Sequence, residues 1–112
     1  MDQILTSANN LKSELLGSEK FALLQDLKNK IANTPELNEK MDMFIKMSSA
    51  FEEKRLRGIT AEFEEERRLG RLYGELILYE DAKKYFETAN YFAEVIMSAY
   101  EKLDEAVAKG FF

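Results

Sequence analysis

The residues of this chain that could take part in chemistry are carboxylates and arginines, because the sequence contains no histidine and no cysteine. It therefore lacks the commonest acid-base group at neutral pH, the usual nucleophile and most transition-metal ligands. Acidic runs do occur at residues 52–53 and 64–66. A carboxylate-bridged metal pair in a helical bundle would also need a Glu-x-x-His motif on two helices. We therefore predict no catalytic residue, no cofactor and no metal, and we interpret the acidic runs as solvated helix faces.

All the arginines of the chain fall within residues 55–71. One interpretation is a small RNA-associated factor that uses this arginine-rich hairpin. However, glutamates are interleaved with the arginines, and Glu53–Arg57 and Glu64–Arg68 have the favourable i to i+4 spacing for ion pairs, each worth a few tenths of a kcal/mol. The net charge of −5 also argues against a nucleic-acid footprint. We favour intramolecular ion pairing, with RNA binding as the alternative.

The elements that carry these residues are predicted to be helices throughout. A chain of 112 residues with 46% hydrophobic and 33% charged residues is typical of one globular domain, spanning residues 1–112. Apolar residues recur at helical spacing almost everywhere, and in the first helix they are Ile4, Ala8, Leu11 and Leu15. The predicted helices cover about residues 2–16, 18–32, 35–57, 61–78 and 81–109. The expected fold is an all-α antiparallel bundle of four to five helices, with a long C-terminal helix and a projecting charged hairpin.

Local signals define most of the helix ends. Glycines are predicted to close the first and third helices, the first of them in a left-handed conformation, and hydroxyl residues are predicted to cap the helices that follow. The closing positions are Gly17 and Gly58, and the capping positions are Ser18, Thr34 and Thr60. The single proline, Pro35, stands at a first helical position, where it is well tolerated. Around Tyr79-Glu80 there is no glycine or proline, so a break is favoured but a kink or a continuous helix is also compatible.

The hairpin between the third and fourth helices is a candidate docking site for a partner protein. The apolar face of the third helix stops at Phe51, and that of the fourth begins at Leu69. Between them, only Leu56, Ile59 and Phe63 are large and apolar, and they have no obvious core to join. Such a trio on a charged protrusion is a reasonable protein-binding surface. The alternative is that the three pack on one another to stabilise the turn.

The C-terminal helix is predicted to form a homodimer. Its apolar positions cover about 140° of the helical wheel, whereas packing on one small core needs only about 100°. Another copy of the chain is the simplest cover for the excess. The alternative is a monomer in which the first two helices wrap the long helix from both sides. The candidate self-association residues are Tyr85, Phe86, Tyr91, Phe92, Val95, Ile96, Ala99 and Tyr100.

The sequence predicts a cytoplasmic protein. It has no run of 18 apolar residues, its N-terminal residues do not follow the pattern of a signal peptide, and the lack of cysteine is typical of a reducing compartment.

Several motifs, in order along the chain, resemble the YlbF/YmcA family of small all-helical proteins of Gram-positive bacteria, and especially its YheA-like branch. These motifs are Gly17-Ser18-Glu19-Lys20-Phe21, Thr34-Pro35-Glu36-Leu37 leading into Met41 and Phe44, a glycine-marked turn before a Glu-rich helix start, and Lys84-Tyr85-Phe86-Glu87.

The resemblance implies a regulator without catalytic activity that works by protein association. The best-known family members join a further protein in a complex that affects competence, biofilm formation, sporulation and messenger-RNA processing by ribonuclease Y. Partners implied for this chain are other YlbF/YmcA-type proteins or the RNA-processing machinery. Some of those complexes hold iron–sulfur clusters through cysteines, a property that this cysteine-free chain does not share.

Overall fold

The computed structural model describes residues 2–111, with side chains through residue 110. These residues form five α-helices and no strand, so the predicted all-α class with a long last helix is confirmed. The helices are α1 (Gln3–Leu16), α2 (Glu19–Ala32), α3 (Pro35–Leu56), α4 (Phe63–Leu76) and α5 (Glu80–Phe111).

Several predicted helix ends are confirmed by their hydrogen bonds. The Ser18 hydroxyl accepts the Phe21 N–H at 3.2 Å, which makes it the N-cap of α2. Pro35 is the first residue of α3. Gly58 has φ +73°, the left-handed conformation that glycine adopts without steric cost. Its N–H and that of Ile59 donate back to the last turn of α3, at 3.1 and 2.9 Å, in the pattern of a Schellman motif.

The left-handed cap predicted at Gly17 was wrong. Gly17 has φ −91° and ψ 2°, which is outside the left-handed region. The reason lies in Ser18, whose N–H and hydroxyl both donate to the carbonyl oxygen of Leu15, at 3.3 and 2.8 Å. The carbonyl at the end of α1 is therefore satisfied without a change of backbone hand.

Of the two predicted threonine caps, Thr34 occupies the N-cap position of α3 as predicted but lacks the capping hydrogen bond, and the cap predicted at Thr60 was wrong. The Thr34 hydroxyl donates to the carbonyl oxygen of Lys30 at 3.0 Å, so it serves the end of α2 and makes no capping bond to α3. Thr60 lies in the loop, because α4 begins only at Phe63, with Glu62 at the cap position. The hydroxyl pattern marks a helix end correctly, but the backbone geometry decides which end the hydroxyl serves.

The favoured break between the fourth and fifth helices is confirmed. At residues 77–79 the chain leaves the α-helical pattern, since the N–H groups of Leu78 and Tyr79 donate three residues back, at 3.3 and 3.0 Å. The carbonyl oxygen of Tyr79 then accepts the N–H of Lys83 at 3.0 Å, and this bond starts α5.

One apolar cluster holds α2 to α5 together. The helix pairs with the most extensive packing are α2 with α5 and α3 with α4, followed by α2 with α3. The cluster joins the end of α2, the start of α3, the end of α4 and the start of α5, and α1 contributes no buried residue. Its buried members are Ile31, Leu37, Met41, Leu72, Leu76 and Ala82.

The helix pairs run antiparallel. In the α3–α4 pair, the early Lys40 lies 3.7 Å from the late Glu75, whereas Lys54, near the end of α3, bonds Glu65, near the start of α4. In the α2–α5 pair, Phe21 at the start of α2 packs edge-on against the ring of Phe92, with the ring centres 6.3 Å apart, whereas Ile31 at the end of α2 joins one cluster with Ala82 at the start of α5.

The molecule is elongated. Its radius of gyration is 17.8 Å, whereas a compact domain of this length has about 13 Å. Its longest dimension, 48 Å, matches the length of about 48 Å expected for a helix as long as α5. The accessible surface of 9036 Å² exceeds the roughly 6,300 Å² expected for a folded monomer of 13.0 kDa. The chain therefore leaves an unusual amount of its helices uncovered.

Candidate functional site

The tip of the α3–α4 hairpin carries three exposed apolar side chains. Leu56 is 76% exposed, Ile59 52% and Phe63 71%. Leu56 is the last residue of α3, Ile59 follows the left-handed Gly58, and Phe63 is the first residue of α4. In a Schellman motif the residue at the Ile59 position usually packs on an apolar residue of the last helical turn, but here that turn presents Lys54 and Glu53. The turn thus fixes the positions of the three apolar side chains and leaves them exposed to solvent.

Ion pairs brace the hairpin below this tip. Lys54 of α3 bonds Glu65 of α4 across the two helices. The predicted Glu53–Arg57 pair is present at 2.9 Å. The predicted Glu64–Arg68 pair was wrong, since within residues 2–111 the Glu64 carboxylate pairs at 3.5 Å with Arg67. The two arginines are consecutive in the sequence, and residues three positions apart are neighbours on the helix surface just as residues four positions apart are.

Arg55 and Glu52 form a two-bonded ion pair within α3. The Arg55 Nε–H donates to Glu52 at 3.0 Å, and a second guanidinium nitrogen bonds the other carboxylate oxygen. This hydrogen bonding holds the pKa of the Glu52 carboxyl below its ordinary value and raises the pKa of Arg55. Arg55, Arg57 and Arg67 therefore each have a carboxylate partner, which favours intramolecular ion pairing over phosphate binding at these three residues.

The predicted self-association residues of α5 fall into two groups. Tyr85 and Phe86 are half-buried against the core, and the Phe86 ring lies 5.4 Å from that of Phe44 and 5.1 Å from that of Tyr73. Phe92 is likewise half-buried, against Phe21. These three rings are occupied within the chain. Of the remaining five, Ala99 is half-buried and four are exposed, namely Tyr91, Val95, Ile96 and Tyr100.

The exposed apolar surface of α5 continues beyond the predicted residues. Met97, Leu103 and Val107 are also exposed, so the stripe runs through the C-terminal half of the helix. The core covers only the first half, where Ala82 and Thr88 are buried.

Helix α1 presents the largest departure from the sequence-based expectation. Its apolar stripe was predicted from the same periodicity as that of the other helices, but the chain does not bury it. Ile4 is 76% exposed, Ala8 and Leu11 are exposed, and only Leu15, near the turn into α2, is half-buried. In the predicted alternative, the first two helices wrap α5 from both sides. In the structure, α2 packs extensively against α5 and α1 does not.

An open groove separates the end of α1 from α5. It has a volume of about 440 Å³ and is lined mainly by Leu11 and Leu15 on one side and by Tyr91, Phe92 and Val95 on the other. At the edge of the groove, the Lys20 ammonium lies over the Tyr91 ring, 4.2 Å from the ring centre. The groove joins the uncovered surfaces of the two helices into one, which we call the α1–α5 face: the stripe Ile4, Ala8, Leu11 and Leu15 together with the exposed apolar residues of α5 from Tyr91 to Val107.

The described side chains group no histidine, cysteine, aspartate or glutamate residues in threes or more that could hold a metal ion. Among the helices of residues 2–111, none combines the length and apolar character that crossing a membrane requires. The fold and its surface therefore define an all-helical protein that exposes apolar faces.

Comparison with known proteins places the chain in a family. A family model described as "Control of competence regulator ComK, YlbF/YmcA" matches residues 4–108, which is nearly the whole chain. The chain belongs to the YlbF/YmcA family, as its motifs predicted, and the family description supports a regulatory role.

A solved structure has the same fold. It is titled "Protein of Unknown Function (DUF964) from Bacillus stearothermophilus" and superimposes with a TM-score of 0.76 over 99% of this chain and 100% of that one. At 16% sequence identity it supports the fold alone. No curated protein matches the chain.

Sequence reasoning missed the part of the α1–α5 face that α1 contributes. Periodicity placed Ile4, Ala8, Leu11 and Leu15 on one face but implied that the core would cover them. Helix α1 also contains several polar residues that compete with the helical backbone, namely Thr6, Ser7, Asn9, Asn10 and Ser13. These residues are weak helix formers, so the helix depends on tertiary cover more than the others do.

Proposed function

We propose that this chain is a non-enzymatic regulatory protein that works by binding another protein at the tip of its α3–α4 hairpin. The observation that carries the proposal is the exposure of Leu56, Ile59 and Phe63 on a turn whose backbone is held by hydrogen bonds and ion pairs. The family description, control of a competence regulator, supports a regulatory role.

The surroundings of the tip indicate the chemistry of the partner. Residues 52–68 contain six carboxylates and five cations, so the hairpin has little net charge. A partner would therefore offer an apolar pocket and need no strong opposite charge. We expect the association to depend only weakly on salt, because screening acts on exposed charges and not on apolar burial.

The family resemblance suggests the process and the partner. We propose control of competence, with biofilm formation, sporulation and messenger-RNA processing as related outputs. The proposed partner is another YlbF/YmcA-type protein or a component of the RNA-processing machinery.

The test removes the apolar tip and keeps a matched control. The double variant Leu56→Ser, Phe63→Ser should lose the partner, because each large apolar anchor contributes roughly 1.5–3 kcal/mol when buried. Losing even one anchor corresponds to about tenfold or more in affinity. The control is Leu78→Ser, which changes an 85% exposed leucine in the turn between α4 and α5.

The unchanged chain, the hairpin double variant and Leu78→Ser each serve as bait for affinity capture in the organism that encodes the chain. The captured proteins are identified by mass spectrometry. The expected result is a protein captured by the unchanged chain and by Leu78→Ser but not by the hairpin variant. The same baits are then tested for complementation of a deletion strain, with competence as the readout. Equal capture by all three baits would contradict docking at the tip.

Folding of the hairpin variant is checked separately. If the tip is a docking surface, the two substitutions should lower the free energy of unfolding by less than about 1 kcal/mol, as expected for surface positions. A loss of several kcal/mol would show that the two side chains belong to a packed core and would end the proposal.

A further inference from the structure

We infer that a second copy of this chain covers the α1–α5 face, and that α1 is stably folded only in the resulting dimer. The inference concerns a different surface from the hairpin tip, with no residue in common, and does not rest on the proposed docking there.

The first step concerns the stability of α1. It has 14 residues, and none of them is buried. Within the described chain, the one helix that packs extensively against α1 is α2, which follows it directly after a short turn. Isolated helices shorter than about 12–15 residues are marginal in water even with favourable sequences. The N-cap carboxylate of Asp2 accepts the Ile4 N–H at 2.8 Å, but the last turn has no basic residue, so the helix dipole gains no compensation at the C-terminal end of α1. Helix α1 therefore needs cover that this chain does not itself provide.

The second step concerns the pattern of the uncovered residues. In α1 the apolar residues Ile4, Ala8, Leu11 and Leu15 follow one another at steps of four, three and four. The exposed residues Ile96, Tyr100, Leu103 and Val107 of α5 repeat the same steps. This spacing is that of a helix–helix seam, in which side chains of one helix insert between those of another. The chain thus carries two matched seams and leaves both of them open.

The third step concerns area. The accessible surface of 9036 Å² exceeds the roughly 6,300 Å² expected for a compact monomer by about 2,700 Å². A stable dimer buries about 800 Å² or more on each partner, and permanent dimers bury more. The excess is therefore sufficient for a large self-interface.

The fourth step concerns the identity of the partner. A two-fold interface must be self-complementary, because the same patch meets itself. The seam of α5 is apolar and is flanked by charges of both signs, at Glu101, Lys102, Glu105 and Lys109. Because the flanking charges are of both signs, two copies can meet there without strong repulsion between like charges. The α1 and α5 seams of both chains then form one shared four-helix core.

The experiment follows the mass and the protection of α1 together in the full chain. Light scattering gives the mass, and hydrogen exchange gives the protection of the amides of residues 7–16, at about 1 µM and about 100 µM, since mass action makes a dimer depend on concentration. The expected mass is twice the 13.0 kDa of one chain. Protection of the α1 amides should rise and fall with the dimer fraction, while protection of α3 should not.

The interface variant is Leu103→Glu, and its control is Leu78→Glu, an exposed leucine outside the α1–α5 face. We expect Leu103→Glu to be monomeric with unprotected α1 amides, and Leu78→Glu to match the unchanged chain. Should Leu103→Glu fail to fold by circular dichroism, Tyr100→Glu, at a position 63% exposed, replaces it with the same expectation. A mass of one chain at about 100 µM would overturn the inference. So would a dimer that survives both glutamate variants, or α1 protection that is unchanged in a monomer.

Discussion

Leu76 and Leu78 lie two residues apart at the end of α4, but their environments are opposite. Leu76 is 0% exposed and packs in the cluster with Leu72 and Ala82, whereas Leu78 is 85% exposed. Truncating each to alanine removes the same atoms from the same stretch of chain. The pair therefore separates the effect of packing from the effect of the substitution itself.

The magnitude for Leu76→Ala follows from the atoms that lose their cover. Three carbons at about 0.8 kcal/mol each give a transfer term of about 2.4 kcal/mol. The cavity that remains adds to this, and buried leucine-to-alanine changes typically cost about 2–5 kcal/mol in total. Because half-buried rings such as those of Tyr79 and Phe86 line this small cluster and can move inward, we expect a loss of about 3 kcal/mol. Leu78→Ala should change the free energy of unfolding by less than about 0.5 kcal/mol.

The assay is urea unfolding followed by circular dichroism, with all three proteins at one concentration because self-association would make stability depend on concentration. The midpoint should fall for Leu76→Ala with the slope unchanged, as for a change in stability alone. If the two variants unfold within about 0.5 kcal/mol of each other, Leu76 is not the packed centre of the cluster, and the account of the core given above is refuted.

Three further outcomes are expected. Gly58→Ala should cost about 1–2 kcal/mol in urea unfolding because φ is +73° there, although the side chain would meet open space; an unchanged stability would argue against the left-handed turn. The purified chain should be colourless, free of stoichiometric iron or zinc by elemental analysis, and strongly helical by circular dichroism; bound metal at one equivalent would contradict this. In gel-shift assays we expect no salt-sensitive binding of RNA, and a shift that disappears when the hairpin arginines are neutralised would instead favour the RNA alternative. The arginines to change are Arg55, Arg57, Arg67 and Arg68.

The ends of the helices were largely predictable because they depend on neighbours in the chain. Ser18, Pro35 and Gly58 act through their own hydroxyl, ring or missing Cβ, and the structure places each of them as predicted. Thr34 and Thr60 show the limit of such signals. Both mark the neighbourhood of a helix end, but their hydroxyls are not used to start the next helix.

The apolar tip of the hairpin was also visible in the sequence. An absence of periodic apolar residues between Phe51 and Leu69 means that no nearby core can form, whatever the arrangement of the other helices. The exposure of Leu56 and Phe63 follows from that absence. The binding role that we propose for them goes further and depends on a partner.

The sequence by itself determined the all-helical class, the family, the main breaks and the apolar stripe of each helix, because periodicity, capping and motif order are properties of the chain. Only the tertiary structure decided which stripes are covered. The stripe of α1 and that of α2 have the same periodicity, yet Leu27 and Ile31 of α2 are buried and Ile4 and Leu11 of α1 are exposed. On α5, Phe86 joins the core while Tyr100 does not. The physical reason is that an apolar stripe requires some cover but does not specify it, and the cover depends on the directions in which the turns send the other helices.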